Sequence, residues 1–194
     1  HEKDMIKSEI YWYQQTKERT NINTPDIYFY DYSKSIIDAD YFIMSFVEGH
    51  ELNLENMGEK TKKDAIENKI RIVTSMHKIK TTKFGYIADE LFDTWYDAIK
   101  NIVFNVKITC NKIGISDLNA KKLLKYIDDN KKVLQSVAGT AIFYDLWDPN
   151  IIVNDGKYYV IDPERCFYGD PICDFIAIMF TKDLEEGRDI VKLY

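Results

Sequence analysis

The chain has 194 residues, 45% hydrophobic and 14% aromatic. That is the profile of a packed globular protein, burying roughly 70% of its unfolded surface, and it excludes a disordered segment. A formal net charge of −6 argues against general nucleic-acid binding, which needs a basic face to displace counterions, and mildly favours a cationic small partner.

No run approaches the roughly 20 apolar residues that cross a bilayer, and no charged-then-apolar leader opens the chain. The three cysteines, Cys110, Cys166 and Cys173, form no C-x-x-C pair and read as reduced thiols of a cytoplasmic protein without membrane contact. His1, His50 and His77 lie at no metal-ligand spacing, which argues against a zinc site or a histidine-based triad.

In chain order, residues 4–19 read as a helix with Met5, Ile6, Ile10 and Tyr13 near one face, broken by residues 21–25. Residues 26–32 and 40–49, "DIYFYDY" and "DYFIMSFVEG", are aromatic and β-branched and predict two strands, the second ended by Gly49. Helical spacing then predicts three helices. One covers 61–79 with Ala65, Ile72, Met76 and Ile79 inward; the next covers 88–109 with Trp95, Ile99, Ile102 and Val106 on one stripe. The third covers about 117–137 with Ala120, Leu123, Leu124, Ile127, Leu134 and Val137 aligned, and Ser116 or Asp117 as its N-cap. These stripes read as plain core. "NIIV", Asn154-Asp155-Gly156 and "YYVID" predict a hairpin, and "GDPICDFIAIMF" over 169–180 predicts a turn and a buried helix with Pro171 at its start. A few strands followed mostly by helices and one inserted hairpin make an α+β arrangement.

Asp145 and Asn150 stand on the loop entering that hairpin, and Asp162 ends its second strand. A hairpin brings its open ends together, so Asn150 and Asp162 are expected close to one another. Amide and carboxylate oxygens, with room for water and phosphate, suit Mg²⁺. Asp145 is then free to accept a proton or orient a nucleophile. Taken singly, each of the three reads equally well as a turn or strand-end cap; their combined spacing favours phosphoryl transfer.

The motifs "FYDLWDPNIIV", "YYVIDPER" and "GDPICDF", in that order, resemble the aminoglycoside phosphotransferase group of small-molecule kinases, with its choline and fructosamine kinase relatives. Those enzymes commonly read H-G-D-L-x-x-x-N, a hairpin ending in I-D, and then G-D-P-x-x-D. Upstream, "EKDMIKSEIYWY" is similar to their first-lobe helix and "YFIMSFVEG" to their last strand and hinge; "SMHKIKTTKFGYI" and "WYDAI" are similar to their helical lobe. The resemblance implies a protein-kinase-like two-lobe fold. Residues 1–48 would be the remainder of the nucleotide-binding lobe and hinge, and residues 49–194 a mostly helical catalytic lobe.

By that resemblance Asp145 is the catalytic base, Asn150 and Asp162 hold Mg²⁺, and Asp174 supports the catalytic-loop backbone. Glu9 is the ion-pairing glutamate, and the backbone of Ser45, Phe46 and Val47 meets the adenine of ATP. Asp170 reads as a cap and His77 as a packing residue; Trp147 is split between pocket lining and packing, and Glu164 and Arg165 between local pairing and a substrate contact. Three departures stand out: Phe143 and Tyr144 replace His and Gly, Pro163 follows the metal-binding aspartate, and Trp147, Asp148 and Pro149 replace H-P-G. The phosphate-covering loop and strand lysine are expected upstream of His1, and further substrate-site helices beyond Tyr194. The leading expectation is an ATP- and Mg²⁺-dependent kinase of a small polar alcohol, such as an aminoglycoside. A ligand-binding protein of the same fold and a metal-dependent phosphohydrolase stand as alternatives, although "FIMSFVEG" argues against the latter.

Overall fold

Apolar spacing along the chain gives helices that pack with three small antiparallel sheets among the described residues. The structure, a computed structural model, describes residues 4–115, 119–179 and 184–194. The elements in order are α1 (Met5–Arg19), β1 (Ile27–Asp31), β2 (Tyr41–Met44), β3 (His50–Glu51), α2 (Glu59–Met76), β4 (Lys80–Thr81), α3 (Trp95–Lys112), α4 (Ala120–Asp129), α5 (Lys131–Gln135), β5 (Gly139–Ile142), β6 (Ile151–Asn154), β7 (Lys157–Val160), β8 (Phe167–Gly169), α6 (Asp174–Met179) and α7 (Leu184–Lys192). The sheets are β1-β2, β3-β6-β7 and β4-β5-β8. The expected α+β arrangement is the one found. Among the described residues no helix is long and apolar enough to cross a membrane.

The hairpin sits where Asp155-Gly156 places it. Both residues have positive φ (47° and 74°), the pairing that matches strand twist in a two-residue turn. Asn154 then faces Lys157, and Ile151 faces Val160. The second predicted strand stops at Met44, well before Gly49. At Gly49 the backbone has φ 137°, and a Cβ there would lie 2.4 Å from the Val153 carbonyl, so only glycine lets the chain reach β6 and pair as β3.

Three helices depart from their predicted bounds for local reasons. α3 starts at Trp95 rather than residue 88, because the Thr94 hydroxyl accepts the Asp97 N–H as an N-cap and Phe84 pairs with Phe92 in the preceding loop. The predicted third helix divides at Asn130, whose side chain donates to the Tyr126 carbonyl and competes with helix continuation. Leu123 and Val106 are exposed rather than core, and Ser116, Asp117 and Phe180 lie outside the described residues. α2 ends at Met76, so Ile79 is buried beyond it and His77 caps the helix rather than lying within it.

The main core joins Trp12 of α1, Val73 and Met76 of α2, Phe143, Leu146 and Phe175. Phe143, which stands where the resemblance has histidine, is buried in this cluster. A second cluster centres on Trp95 stacked on Phe167, with ring centroids 5.8 Å apart.

The chain leaving β5 is pinned from below by Asp174 at the start of α6. Its Oδ1 accepts the Tyr144 N–H at 2.6 Å, and its Oδ2 accepts Nε2–H of His77 at 2.8 Å. Nδ1 of His77 meets the Tyr194 hydroxyl at 3.0 Å. Tyr144 itself has φ 64°, a left-handed conformation that explains the glycine of the resembled motif and that costs a Cβ-bearing residue about 1–2 kcal/mol.

Two stability outcomes follow from this anchor. Asp174→Ala leaves the Tyr144 N–H without its acceptor and the His77 ring without its carboxylate partner, and is expected to cost about 3 kcal/mol. By calorimetry that is a melting-temperature fall of roughly 10 °C. At position 144, Tyr144→Gly is expected to exceed Tyr144→Ala in stability by about 1 kcal/mol in urea titrations, because both lose the ring and only alanine keeps the strained Cβ.

Candidate active site

The loop between β5 and β6 carries Asp145 and Asn150, and the exit of β7 carries Asp162. The Ile161 N–H donates to the Asn150 carbonyl at 3.0 Å, keeping the two ends of the hairpin side by side. Asn150 is nearly buried, and its Nδ2 donates to the Asp145 carbonyl at 2.9 Å. That bond fixes the amide so that Oδ1 is left to accept or ligate. Asp162 is exposed and holds φ 53°, ψ 55°.

The Asp145 carboxylate is about one-third exposed and receives Arg165 Nε at 3.3 Å. The same Nε lies 3.3 Å from Glu164 Oε1. Arg165 therefore ties the loop bearing Asp145 to the segment following Asp162. Sequence reading left Glu164 and Arg165 undecided, and only the fold brings the guanidinium to residue 145.

Glu9 arrives from α1, buried on the side of Asp162 and Glu164. Burial first, then the negative charge of Asp162 and of Glu164, pushes its carboxyl up to about 7, with an opposing interaction from the Tyr13 hydroxyl. Burial likewise raises Glu164, whose Oε2 is buried without a hydrogen-bond partner. Burial and mutual repulsion thus disfavour ionised carboxylates at this corner, a penalty that a cation beside them would relieve. Among the described residues no three His, Cys, Asp or Glu side chains converge as a ready-made metal cluster. One carboxylate and one amide oxygen still fit Mg²⁺, which keeps several waters and takes phosphate oxygens as remaining ligands.

Ser45 is locked to Asp26: its N–H donates to the Asp26 carbonyl at 2.8 Å, and its Oγ accepts the Asp26 N–H at 2.9 Å. Phe46 projects into solvent at 89% exposure, and Val47 is half-buried. Among the described residues no hydrogen bond engages the Ser45 carbonyl or the Val47 N–H, so both remain available to a planar ligand.

On the other side of Asp145 opens a cavity of about 760 Å³ lined by Glu51, Glu55, Asp145, Asp148, Tyr144 and Trp147, with Lys62 and Lys69 on its wall. Four carboxylates against two ammonium groups leave it acidic. Lys69 is buried and paired with Asp148 at 2.7 Å, and Asp148 also accepts the Leu54 N–H at 3.1 Å. Trp147 is half exposed at the rim, so its place is the pocket wall and not the core. Asp170 caps the turn 171–173 by accepting the Ile172 N–H at 3.0 Å. The sequence reading missed the parts played by Glu51, Glu55, Lys69 and Asp148; the one legible cue was an acidic pair, Glu51 and Glu55, four residues apart before α2.

The raised Glu9 carboxyl has a sign that can be checked. Below about 4.5 a glutamate is protonated in both folded and unfolded chains; between there and about 7 the unfolded chain releases its proton while the folded one keeps it. Stability is therefore lost over this window as pH rises. Glu9→Gln is expected to gain on the wild type steadily from pH 4.5 to 7 and to hold a constant lead above it, as melting temperatures across that range would record.

A phosphotransferase enzyme family model matches residues 1–190. A comparison with curated proteins returned no match. Among solved structures, a protein of Haemophilus somnus 129PT assigned as a fructosamine-3-kinase superposes with TM-score 0.74 at 16% identity, covering 100% of this chain and 65% of its own. The gentamicin complex of APH(2'')-IIa gives TM-score 0.66 at 18% identity over 98% of this chain and 65% of its own. ADP-bound aminoglycoside phosphotransferase APH(2'')-Ib gives 0.65 at 20% over 98% and 66%. The chain spans about 65% of the length of these structures, and they share its kinase-like α+β fold. With all but its last four residues matched by the family, the chain belongs to the phosphotransferase enzyme family.

Proposed function

We propose that the protein transfers the γ-phosphoryl group of ATP to a hydroxyl of a small cationic acceptor in a Mg²⁺-dependent reaction. The observation that carries this reading is the pinned geometry at the hairpin's open end: Asn150 bonded to the Asp145 backbone and held beside the exit to Asp162. Asn150 Oδ1 and the Asp162 carboxylate are the groups that would hold Mg²⁺, which when bound neutralises phosphate charge. The Ser45 carbonyl and the Val47 N–H are suited to an adenine edge, and Glu9 supplies the negative partner of a lysine ammonium. Asp174 keeps the 144–145 backbone rigid, so the positioning that dominates phosphoryl transfer is built in before substrate arrives.

Asp145 accepts the acceptor's hydroxyl proton as that oxygen attacks the γ-phosphorus and ADP leaves. Arg165 Nε meets Oδ2 of Asp145, which leaves Oδ1 to take the hydroxyl proton, and the pair's partial exposure makes any rearrangement of that contact inexpensive. The acceptor occupies the 760 Å³ cavity, whose size suits a small molecule. Its carboxylates Glu51 and Glu55 favour protonated amines, and the rim indole of Trp147 offers a face to a cation or a sugar ring. The solved neighbours bound to gentamicin, to ADP, and to streptomycin with ATP lend support to this assignment.

The test is ADP release by the full-length protein against a panel of hydroxylated amines. One or more should stimulate release, and Asp145→Asn is expected to lower kcat by about 10²–10⁴-fold while changing ATP affinity little. Stimulated release that survives Asp145→Asn, or tight acceptor binding with no turnover at all, would overturn the reading.

A further inference from the structure

α1 is bound to the segment after β7 by two hydroxyl groups. Ser8 Oγ donates to the Glu164 carbonyl at 3.0 Å, and the Tyr13 hydroxyl accepts the Asp162 N–H at 3.1 Å. Tyr13 is only 1% exposed, and its ring leans on Phe42 of β2 with centroids 6.4 Å apart. A phenylalanine would fill the same space. The hydroxyl is the part of the side chain that core packing leaves unexplained. Its partners are the backbone of residue 162 and, one helical turn back, the Glu9 carboxyl. Asp162 meanwhile adopts a left-handed conformation (φ 53°, ψ 55°) immediately before Pro163. A residue with a Cβ rests there only when its surroundings hold it.

We propose that Tyr13 is a positioning residue: its hydroxyl fixes the backbone of Asp162 and thereby sets the affinity of that carboxylate for a divalent cation without touching the cation. This rests on the assignment of Asp162 to metal binding made above. Tyr13 and Asp162 are 149 residues apart in sequence, so the bond also couples the placement of α1 to the metal-binding end of the hairpin. A change in either the helix or the loop is then felt by the other. Groups that orient a metal ligand from behind are commonly worth about ten- to a hundredfold in metal affinity.

The same helix provides an internal control. Tyr11 also carries a hydroxyl, but bonds to the Tyr168 hydroxyl at 2.7 Å and has no bond to the 162–165 segment. Mn²⁺ uptake by the full-length protein in the presence of ADP, followed by the loss of the free-ion electron paramagnetic resonance signal, reads the metal site directly. Tyr13→Phe is expected to weaken Mn²⁺ binding about tenfold. Tyr11→Phe should leave it unchanged, and both variants should bind metal-free ADP as the wild type does. Ser8→Ala, which cuts the other tie, should shift Mn²⁺ binding in the same direction by less, and it carries the comparison if Tyr13→Phe folds poorly. Equal Mn²⁺ affinity in Tyr13→Phe and wild type, or an equal loss in Tyr11→Phe, overturns the inference alone. A wild-type protein that takes up no Mn²⁺ with ADP overturns the metal assignment beneath it as well.

Discussion

A single buried carboxylate holds the candidate site in shape. Asp174 has no exposed surface, and both of its oxygens are spent: one on the Tyr144 N–H, the other on His77. A carboxylate is tolerated in such a place only when its acceptors are filled, and a half-satisfied one would be worse than an apolar residue. Because its partners lie on the loop after β5 and at the end of α2, this group fixes the loop before Asp145 against the helical body. The strained φ of Tyr144 is sustained by that bond. Asp145 therefore inherits its position from a residue 29 positions later whose side chain does not line the cavity.

Charge is distributed unevenly around this frame. Glu9, Asp162 and Glu164 crowd one side, and two of the three carboxyls are raised by burial and by their neighbours. Glu51, Glu55, Asp145 and Asp148 line the other side. Among the described residues Arg165 spans Asp145 and Glu164, Lys69 holds Asp148, and Lys62 also lines the cavity. Carboxyls crowded in this way are harder to ionise, and a nearby cation would ease that.

Legibility differed by the range of the interaction concerned. The hairpin turn was readable because Asp155 and Gly156 meet their own backbone requirement locally, and α1 and α2 were readable from their apolar spacing. The start of α3 was misread because apolar spacing ran past Thr94, where a cap and the Phe84–Phe92 pairing take over. The split of the third predicted helix at Asn130 was misread for a similar reason: one side-chain bond to the Tyr126 carbonyl outweighed periodicity. Gly49 was noticed, but its role was not. It permits a close approach to a strand about a hundred residues away, which nothing in its neighbours announces.

The amino-acid order by itself determined the hairpin, the α+β class and the succession of acidic and amide residues that marks the family, since each depends on spacing within a short stretch of chain. Only the tertiary structure decided that Arg165 faces Asp145, that Lys69 lies under Asp148, that Tyr13 grips the backbone of Asp162, and that four carboxylates share one cavity. Those partners are brought together by burial of the apolar core, which acts on the whole chain at once. A side chain's polar partner is fixed by where the core leaves it, and no local pattern in the sequence encodes that address.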